Sequence, residues 1–586
     1  MLNTIKKAIE QEHYSNAYEL LENYLQTGIS YTDSIAILEA SIYLGTQEYA
    51  KALRCVMDGL KINPLNYELY FLLGQAYEIH SENEKAYLCY ENAVYHCKEH
   101  EEDLIYLNSY FQDFQTNTNT VVPNVSIIIL TLNNLEYTKK CLDSIRRFCS
   151  PSCEVIVVDN GSTDGTREYL KIQTDVKYHF NNKNLGFSGG CNVGIHMANP
   201  KNDIFLLNND TILTENALFT LRMGLYENEK NGAAGAITNN AGNHQIINEI
   251  FQSLDEYLHY GFTHNIPCTD SLEFRILLIG FALLIRRSAY EKTGDLDEQF
   301  FPGNFEDNDY CTRLILNDYN LVLCKNSFIF HFGGKSFSLL ENNNETTYSS
   351  SYLTNQQRYI DKWHIRPYYS QFGRPELLKQ MDSKDKFQSI NVLDIGCACG
   401  ATLLEIKNRF PNANLYGIEL DSYSATFASH IAKVTQGNVE TMELSFDVNF
   451  DYIILGDILE HLVNPEILLS KLKKHLSPNG AIITSIPNIL HYSAMLQILG
   501  GSFEYSDFGI LDRTHLRFFT KYNSVKLLEQ CGYQIVGFDK IIEEPNEKQF
   551  ETKHYIEQLA QLPNAVEKEQ FLVAQYIFKA KTNPSI

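Results

Sequence analysis

The chain has 586 residues, 72 of them acidic and 48 basic, for a formal net charge of -24. That length predicts several domains rather than one core, and 44% hydrophobic with 20% charged residues excludes wholesale disorder. The acidity argues against nucleic acid as a partner, because no basic footprint offsets phosphate repulsion. It also gives no general attraction to anionic lipid. The opening residues Met1 to Glu10 lack the apolar core of a signal peptide. No apolar run reaches the roughly 18 residues of a transmembrane helix, and Ile276 to Ile285 reads as a buried strand. Thirteen cysteines, an odd number without repeating spacing, fit reduced thiols in a cytosol. Cys397 and Cys399 have no second pair of ligands, so they do not read as a metal site.

In chain order, residues 1–118 are predicted to be helical and repetitive. Ala17, Ala52 and Ala86 recur at close to a 34-residue period, and Leu73, Gly74, Tyr77, Tyr90 and Ala93 complete the clearest unit. Small residues at these points let paired helices approach closely, and Pro64 stops a helix between units. The pattern resembles tetratricopeptide repeats, with a plain helical bundle as the alternative. Either way it suits a protein partner or self-association. The polar stretch Gln115 to Thr120 reads as a linker.

Residues 121–372 alternate apolar runs with amphipathic stretches, which predicts a mostly parallel sheet flanked by helices. Val125–Leu130 is the first strand. Val155–Asp159 and Phe205–Asp210 each end in a carboxylate and a turn, which delivers that carboxylate to the C-terminal sheet edge where ligands bind. In Asn184–Gly194 the glycines let backbone amides approach a diphosphate, and Asn192 is expected to open a helix facing it. Asp210 is a hard oxygen ligand suited to Mg²⁺ or Mn²⁺. His331, after another expected strand, is either a further ligand or a packed side chain. Gly334-Lys335-Ser336 is not a phosphate-binding loop, because Ile329 stands where a glycine is required. Glu306 and Asp307, with Arg313 six residues beyond the aspartate, suit proton abstraction from a hydroxyl. Asp307 is the expected base and Asp309 the alternative.

The order of these motifs resembles the family 2 glycosyltransferases of the GT-A fold, and Glu306-Asp307 resembles the catalytic motif of their inverting members. The resemblance implies that Thr131 lies beside the nucleoside and that Asp159 accepts the N3 proton of uracil or thymine. The implied donor is therefore UDP- or dTDP-linked. It also implies a metal-diphosphate contact at Asp210, with Asn208 where a first aspartate is usual. The Asn184–Gly194 segment resembles a subgroup rich in rhamnosyltransferases, which implies a deoxysugar donor such as rhamnose and a glycan or glycoprotein-glycan acceptor.

A boundary is expected near 375–388, with a third domain over 385–586. Val392–Gly400 is a strand followed by a glycine-rich turn carrying Asp394, Gly396 and Gly400, and Glu419 ends the next apolar strand. A carboxylate ahead of the glycines suits a cationic ligand better than a pyrophosphate. The segment resembles class I S-adenosylmethionine (SAM) methyltransferases of Rossmann-like fold, with Asp451–His461 similar to their fourth strand and its turn. That resemblance assigns Asp394, Gly396, Gly400, Glu419 and Asp457 to the cofactor, while Asn438 stands where an adenine-binding aspartate is common. His461 is the leading base for methylating a hydroxyl, and His515 is the alternative.

The combined expectation is a multidomain enzyme in the cytosol, with a peripheral place at the inner face of a membrane as the alternative. It would join helical repeats, an inverting glycosyltransferase with a divalent metal, and a sugar O-methyltransferase. Its rivals are a protein-directed glycosyltransferase whose repeats hold a polypeptide, and a scaffold in which one catalytic domain has decayed.

Overall fold

A computed structural model describes the chain except residues 99, 334–347, 546–549, 563–565 and 584–586. Gly334, Lys335 and Ser336 therefore lie outside the described residues. The chain divides into two compact units, Met1–Lys362 and Trp363–Ile586. Among the described residues no helix is long and apolar enough to cross a membrane.

The first unit opens with helices α1 (Leu2–Glu10), α2 (Tyr14–Leu25), α3 (Asp33–Gly45), α4 (Tyr49–Ile62), α5 (Tyr67–Ile79), α6 (Asn83–His96) and α7 (Glu101–Thr118). Consecutive helices pair through short turns in which Glu12, Gln47 and Ser81 adopt left-handed backbone, roughly one 34-residue repeat apart. Thr32 and Asn66 cap α3 and α5 by accepting from Ile35 N and Leu69 N. Ala17, Ala52 and Ala86 are fully buried, as close helix approach demands. Helix α7 absorbs Gln115–Thr118, so the expected linker shrinks to the residues after Thr118. The polar composition of 115–118 hid the end of a helix whose apolar anchors, Leu107, Phe111 and Phe114 among them, all lie before it.

The α/β half of this unit is built from β1 (Val125–Thr131), α8 (Leu135–Phe148), β2 (Glu154–Asp159), α9 (Thr166–Lys171), β3 (Lys177–Phe180), α10 (Gly186–Met197) and β4 (Asp203–Asn208). There follow β5 (Thr211–Ile212), α11 (Ala217–Leu225), β6 (Asn231–Ile237), α12 (Leu254–His264), β7 (Leu272–Arg275), β8 (Ala282–Ile285) and α13 (Arg287–Thr293). Helix α14 (Glu306–Leu316), β9 (Asn320–Phe328), β10 (Phe330–His331) and a helix over Tyr348–Trp363 complete it. The eight-stranded sheet runs β3-β2-β1-β4-β8-β6-β9-β7. It is parallel from β3 to β4, whereas β8 is antiparallel to both neighbours and β7 to β9. Half the sheet is thus mixed where a mostly parallel one was expected, because a strand buried on both faces shows the same apolar run in either direction. Of Ile276–Ile285 only the last four residues form a strand. Leu278 instead bonds through its N–H to Cys311 Sγ, and Gly280 N to Asp307.

The N-terminal helices are bound to this half by a continuous core that includes Tyr70, Leu88, Phe219 and Ile266. Arg222 of α11 pairs with Glu91, Lys85 Nζ lies 2.9 Å from Glu227, and Asn216 donates to Pro64 O at 3.2 Å.

In the second unit the strands β11 (Asn391–Ile395), β12 (Asn414–Glu419), β13 (Lys433–Gln436), β14 (Phe450–Gly456), β15 (Leu476–Pro487), β16 (Tyr533–Ile542) and β17 (Val573–Thr582) form one sheet in the order β13-β12-β11-β14-β15-β17-β16. It is parallel up to β15, and β17 and β16 run antiparallel. Residues 363–384, which the sequence leaves ahead of the boundary at 385, belong to this unit. Leu377, Leu378 and Met381 are buried with Val392, Leu403 and Ile454. Two four-residue helices, each started by a proline, carry too few apolar positions to reveal that packing from periodicity.

Gly74 tests the repeat packing, because a Cβ there would lie 2.4 Å from the ring of buried Tyr90. Gly74→Ala should lower stability by about 1–3 kcal/mol through overpacking. Urea unfolding of the full chain measures it, and an unchanged midpoint would show that the helix pair yields freely.

Candidate active sites

In the first unit, pairing register sets Thr131 beside Asp159, and Leu130 beside Asn208, at the C-terminal sheet edge. Asp159 is fully buried and accepts from Gly161 N and Ser162 N at 3.2 Å. Gly161 has a φ of +99°, which a side chain would strain, so the turn needs glycine. The Asp159 charge meets Arg167 Nε at 2.6 Å, a partner not singled out from the sequence although it lies in the first turn of α9 only eight residues on. Thr131 Oγ1 lies 2.9 Å from Thr138 Oγ1, and Asn209 Nδ2 donates to both hydroxyls. Asn209 therefore fixes the floor between Asn208 and Asp210, a second residue the motif alone did not distinguish.

Asp210 and His331 meet because β5 and β10 pair, opposing His331 to Thr211. His331 Nε2 is 3.2 Å from Asp210 Oδ1, while Nδ1 is 2.8 Å from Asn240 O. A carbonyl only accepts, so Nδ1 carries the proton of the neutral ring and Nε2 turns a lone pair toward the carboxylate. Two acceptors facing one another suit a shared cation.

The segment Gly280–Phe281 links this pair to α14. Phe281 stacks on His331 with centroids 5.2 Å apart and accepts from Asn208 N, while Gly280 N donates to Asp307 Oδ2 at 3.2 Å. Burial pushes the Asp307 carboxyl above its ordinary range, and burial followed by the Asp307 charge pushes Glu306 further. Asp309 is different. It is fully buried and paired with Arg313 Nε at 2.8 Å and Lys362 Nζ at 2.5 Å.

Asn192 does not open a helix: α10 begins at Gly186, and Asn192 sits buried in its middle. There it exchanges bonds with the Leu296 backbone and donates to Glu298. The glycines serve helix packing, since a Cβ on Gly190 would lie 2.2 Å from Leu130 and one on Gly194 2.5 Å from Ile128.

In the second unit a cavity of about 250 Å³ is lined by Arg374, Asp394, Gly396, Ala398, Thr402 and Asp457, among others. Gly396 has a φ of +73°, and a Cβ there would lie 2.2 Å from Ile458. Gly400, with a φ of +80°, starts the helix Ala401–Arg409. Glu419 accepts from Ala398 N at 2.8 Å, tying the second strand to the glycine turn. Asp457, in left-handed backbone, meets Arg374 Nη1 at 2.6 Å and Ser485 Oγ at 2.6 Å. Arg374 escaped the sequence because it precedes the expected boundary. Burial, with the nearby Glu419 charge, pushes Asp394 up to about 8. Asn438 is exposed and caps its own turn by accepting from Glu440 N.

Beyond Asp457 a short turn carries Glu460 and half-exposed His461. His461 lies against His515 edge-to-face, with centroids 4.7 Å apart. Burial, and then His515, lower the His461 pKa. Glu460 is 1% exposed, with neither carboxylate oxygen hydrogen-bonded.

Residues 126–294 match the glycosyl transferase family 2 model, and residues 363–537 match a methyltransferase domain model. The chain therefore carries a family 2 glycosyltransferase domain and a SAM-type methyltransferase domain. The poly-beta-1,6-N-acetyl-D-glucosamine synthase of Staphylococcus epidermidis is 27% identical over 206 residues, 34% of this chain and 48% of that one. The trans-aconitate 2-methyltransferase of Deinococcus radiodurans is 31% identical over 102 residues, 16% of this chain and 37% of that one. The chain thus spans less than half the length of either. A solved SAM-dependent methyltransferase of Archaeoglobus fulgidus aligns at 18% identity and a TM-score of 0.26, covering 38% of this chain and 98% of that one.

Asp394 ionises near 3.8 when unfolded but is held up to about 8 in the folded cavity. The fold is therefore disfavoured progressively as pH rises between those values. Asp394→Asn removes that penalty, so its melting temperature should gain on the wild type as pH rises from 4 to 8. A constant difference across that range would contradict the assignment.

Proposed function

We propose that the chain is a bifunctional enzyme that transfers a sugar with inversion from a nucleotide-sugar donor to a glycan and methylates a sugar hydroxyl from SAM. The observation that carries the first half is the link from Asp210 and His331 through Gly280–Phe281 to Asp307. Asp307 takes the proton of the acceptor hydroxyl, whose oxygen attacks the anomeric carbon as the bond to the diphosphate breaks. Its raised pKa makes it a stronger base than an exposed carboxylate, whereas the charge of Asp309 is spent on Arg313 and Lys362. Asp210 and His331 would hold a divalent cation, which offsets charge on the leaving diphosphate. Asp159 and Thr131 face the nucleobase end of a UDP- or dTDP-linked donor. A deoxysugar such as rhamnose is the favoured donor.

For the second half, Asp394 and Glu419 supply the carboxylates that a cationic methyl donor and its ribose hydroxyls require. All thirteen cysteines are free thiols, which suits a reducing compartment such as the cytosol.

A hydrolysis screen of nucleotide sugars with the purified chain names the donor without an acceptor, and includes N-acetylglucosamine because a relative makes its polymer. Asp307→Asn should retain donor binding and lower turnover by about 10²-fold or more. Near-normal turnover would move the base elsewhere. Removing divalent metal should abolish transfer and Mn²⁺ or Mg²⁺ restore it, while full activity in chelator would end the metal assignment. In the full chain, Asp394→Ala should abolish SAM binding in calorimetry and spare sugar transfer.

A further inference from the structure

Glu460 sits in the turn Leu459–His461, and the loop bearing His515 is fastened to it by Leu516 N and Arg517 N, which donate to Glu460 O at 2.8 and 3.0 Å. Three side chains converge as a result. Glu460, His461 and His515 each offer a ligand atom, and these atoms lie within 4.8 Å of one another. Glu460 Oε1 is 4.0 Å from His515 Nε2.

The hydrogen bonds around the cluster fix where its protons are. His515 Nδ1 is 2.9 Å from Ile510 O. His461 Nδ1 is 3.2 Å from Thr514 O and 3.1 Å from Thr514 Oγ1. The Thr514 hydroxyl already donates to Asp512 Oδ1 at 2.6 Å, so it has no proton for the ring. Both rings therefore donate from Nδ1, and in the neutral ring that leaves the lone pair on Nε2, the tautomer that a backbone carbonyl imposes on metal-binding imidazoles. The two carboxylate oxygens of Glu460 have no hydrogen-bond donor. A buried carboxylate of this kind is costly unless a cation meets it.

We propose that Glu460, His461 and His515 form a binding site for a first-row divalent cation, of which Zn²⁺, Mn²⁺ and Fe²⁺ are the matching class. Two imidazoles and one carboxylate are the donor set of catalytic, open metal sites, whereas Mg²⁺ and Ca²⁺ favour oxygen alone. Bonds of about 2.0–2.2 Å place tetrahedral ligand atoms roughly 3.4 Å apart, so an inward shift on the order of 1 Å closes the site. The half-exposed side of His461 leaves room for a substrate oxygen. The inference rests on the methyl-transfer reading for its use: a cation there supplies Lewis-acid chemistry to the acceptor hydroxyl, and the two histidines serve as ligands in place of a general base.

The test uses the full chain carrying Asp210→Ala, which removes the sugar-transfer ligand, stripped by chelator and titrated with Co²⁺ as a chromophoric probe. One equivalent of Co²⁺ with a visible ligand-field spectrum is expected. Glu460→Gln and His515→Gln in that background should weaken Co²⁺ binding by 10-fold or more, while SAM affinity by calorimetry stays within 2-fold. His461→Gln, at a half-exposed position, supplies a folded variant where the buried changes unfold. No Co²⁺ bound by the parent, or binding unchanged in a folded variant, would overturn the site while SAM binding keeps the methyl-transfer reading. Co²⁺ bound without SAM would fell that reading and leave the site standing.

Discussion

A carboxylate taken out of water opposes folding unless a cation or several donors meet it. This chain buries carboxylates repeatedly at the C-terminal edges of both sheets. Some are neutralised where they sit: Asp159 by Arg167, Asp309 by Arg313 and Lys362, and Asp457 by Arg374. Others are not. Asp307, Asp394 and Glu460 are driven by burial above the ordinary carboxylate range, because their neighbours do not offset the loss of water. The division cuts across position in a motif, since Asp307 and Asp309 are two residues apart on α14 and fall on opposite sides of it.

Legibility in the sequence follows the same physics. Asp159, Asp210 and Asp394 were readable because each closes an apolar strand, and strand ends are encoded locally. Their partners were not. Arg167 reaches back from the next helix, His331 arrives by pairing of two-residue strands, and Arg374 comes from a segment with no periodicity. Asn192 was misplaced for a related reason. Glycines in Gly186–Gly194 read as a phosphate-binding turn, yet they permit α10 to lie against Leu130 and Ile128, a demand visible only once the strands are in place. The helical character of the N-terminal region was readable because its small buried residues, Ala17, Ala52 and Ala86, recur periodically. The antiparallel insertion of β8 was not, because it leaves no periodic mark.

The presentation of Asp307 depends on more than α14. Asn304 and Phe305, directly before it, both adopt left-handed backbone, which non-glycine residues hold only when their surroundings impose it. The surroundings here are specific. Asn355, fully buried on the Tyr348–Trp363 helix, donates to Phe300 O at 3.0 Å and Gly303 O at 2.8 Å. Lys362 on the same helix reaches both Asp297 and Asp309. One helix thus holds the loop in its strained form and neutralises Asp309, two residues from Asp307. It does so without supplying any charge to Asp307, whose contacts are the neutral N–H groups of Gly280 and Asn308. Two N–H donors orient the carboxylate while leaving its basicity high. A lysine in their place would orient it as well and make it a weaker base.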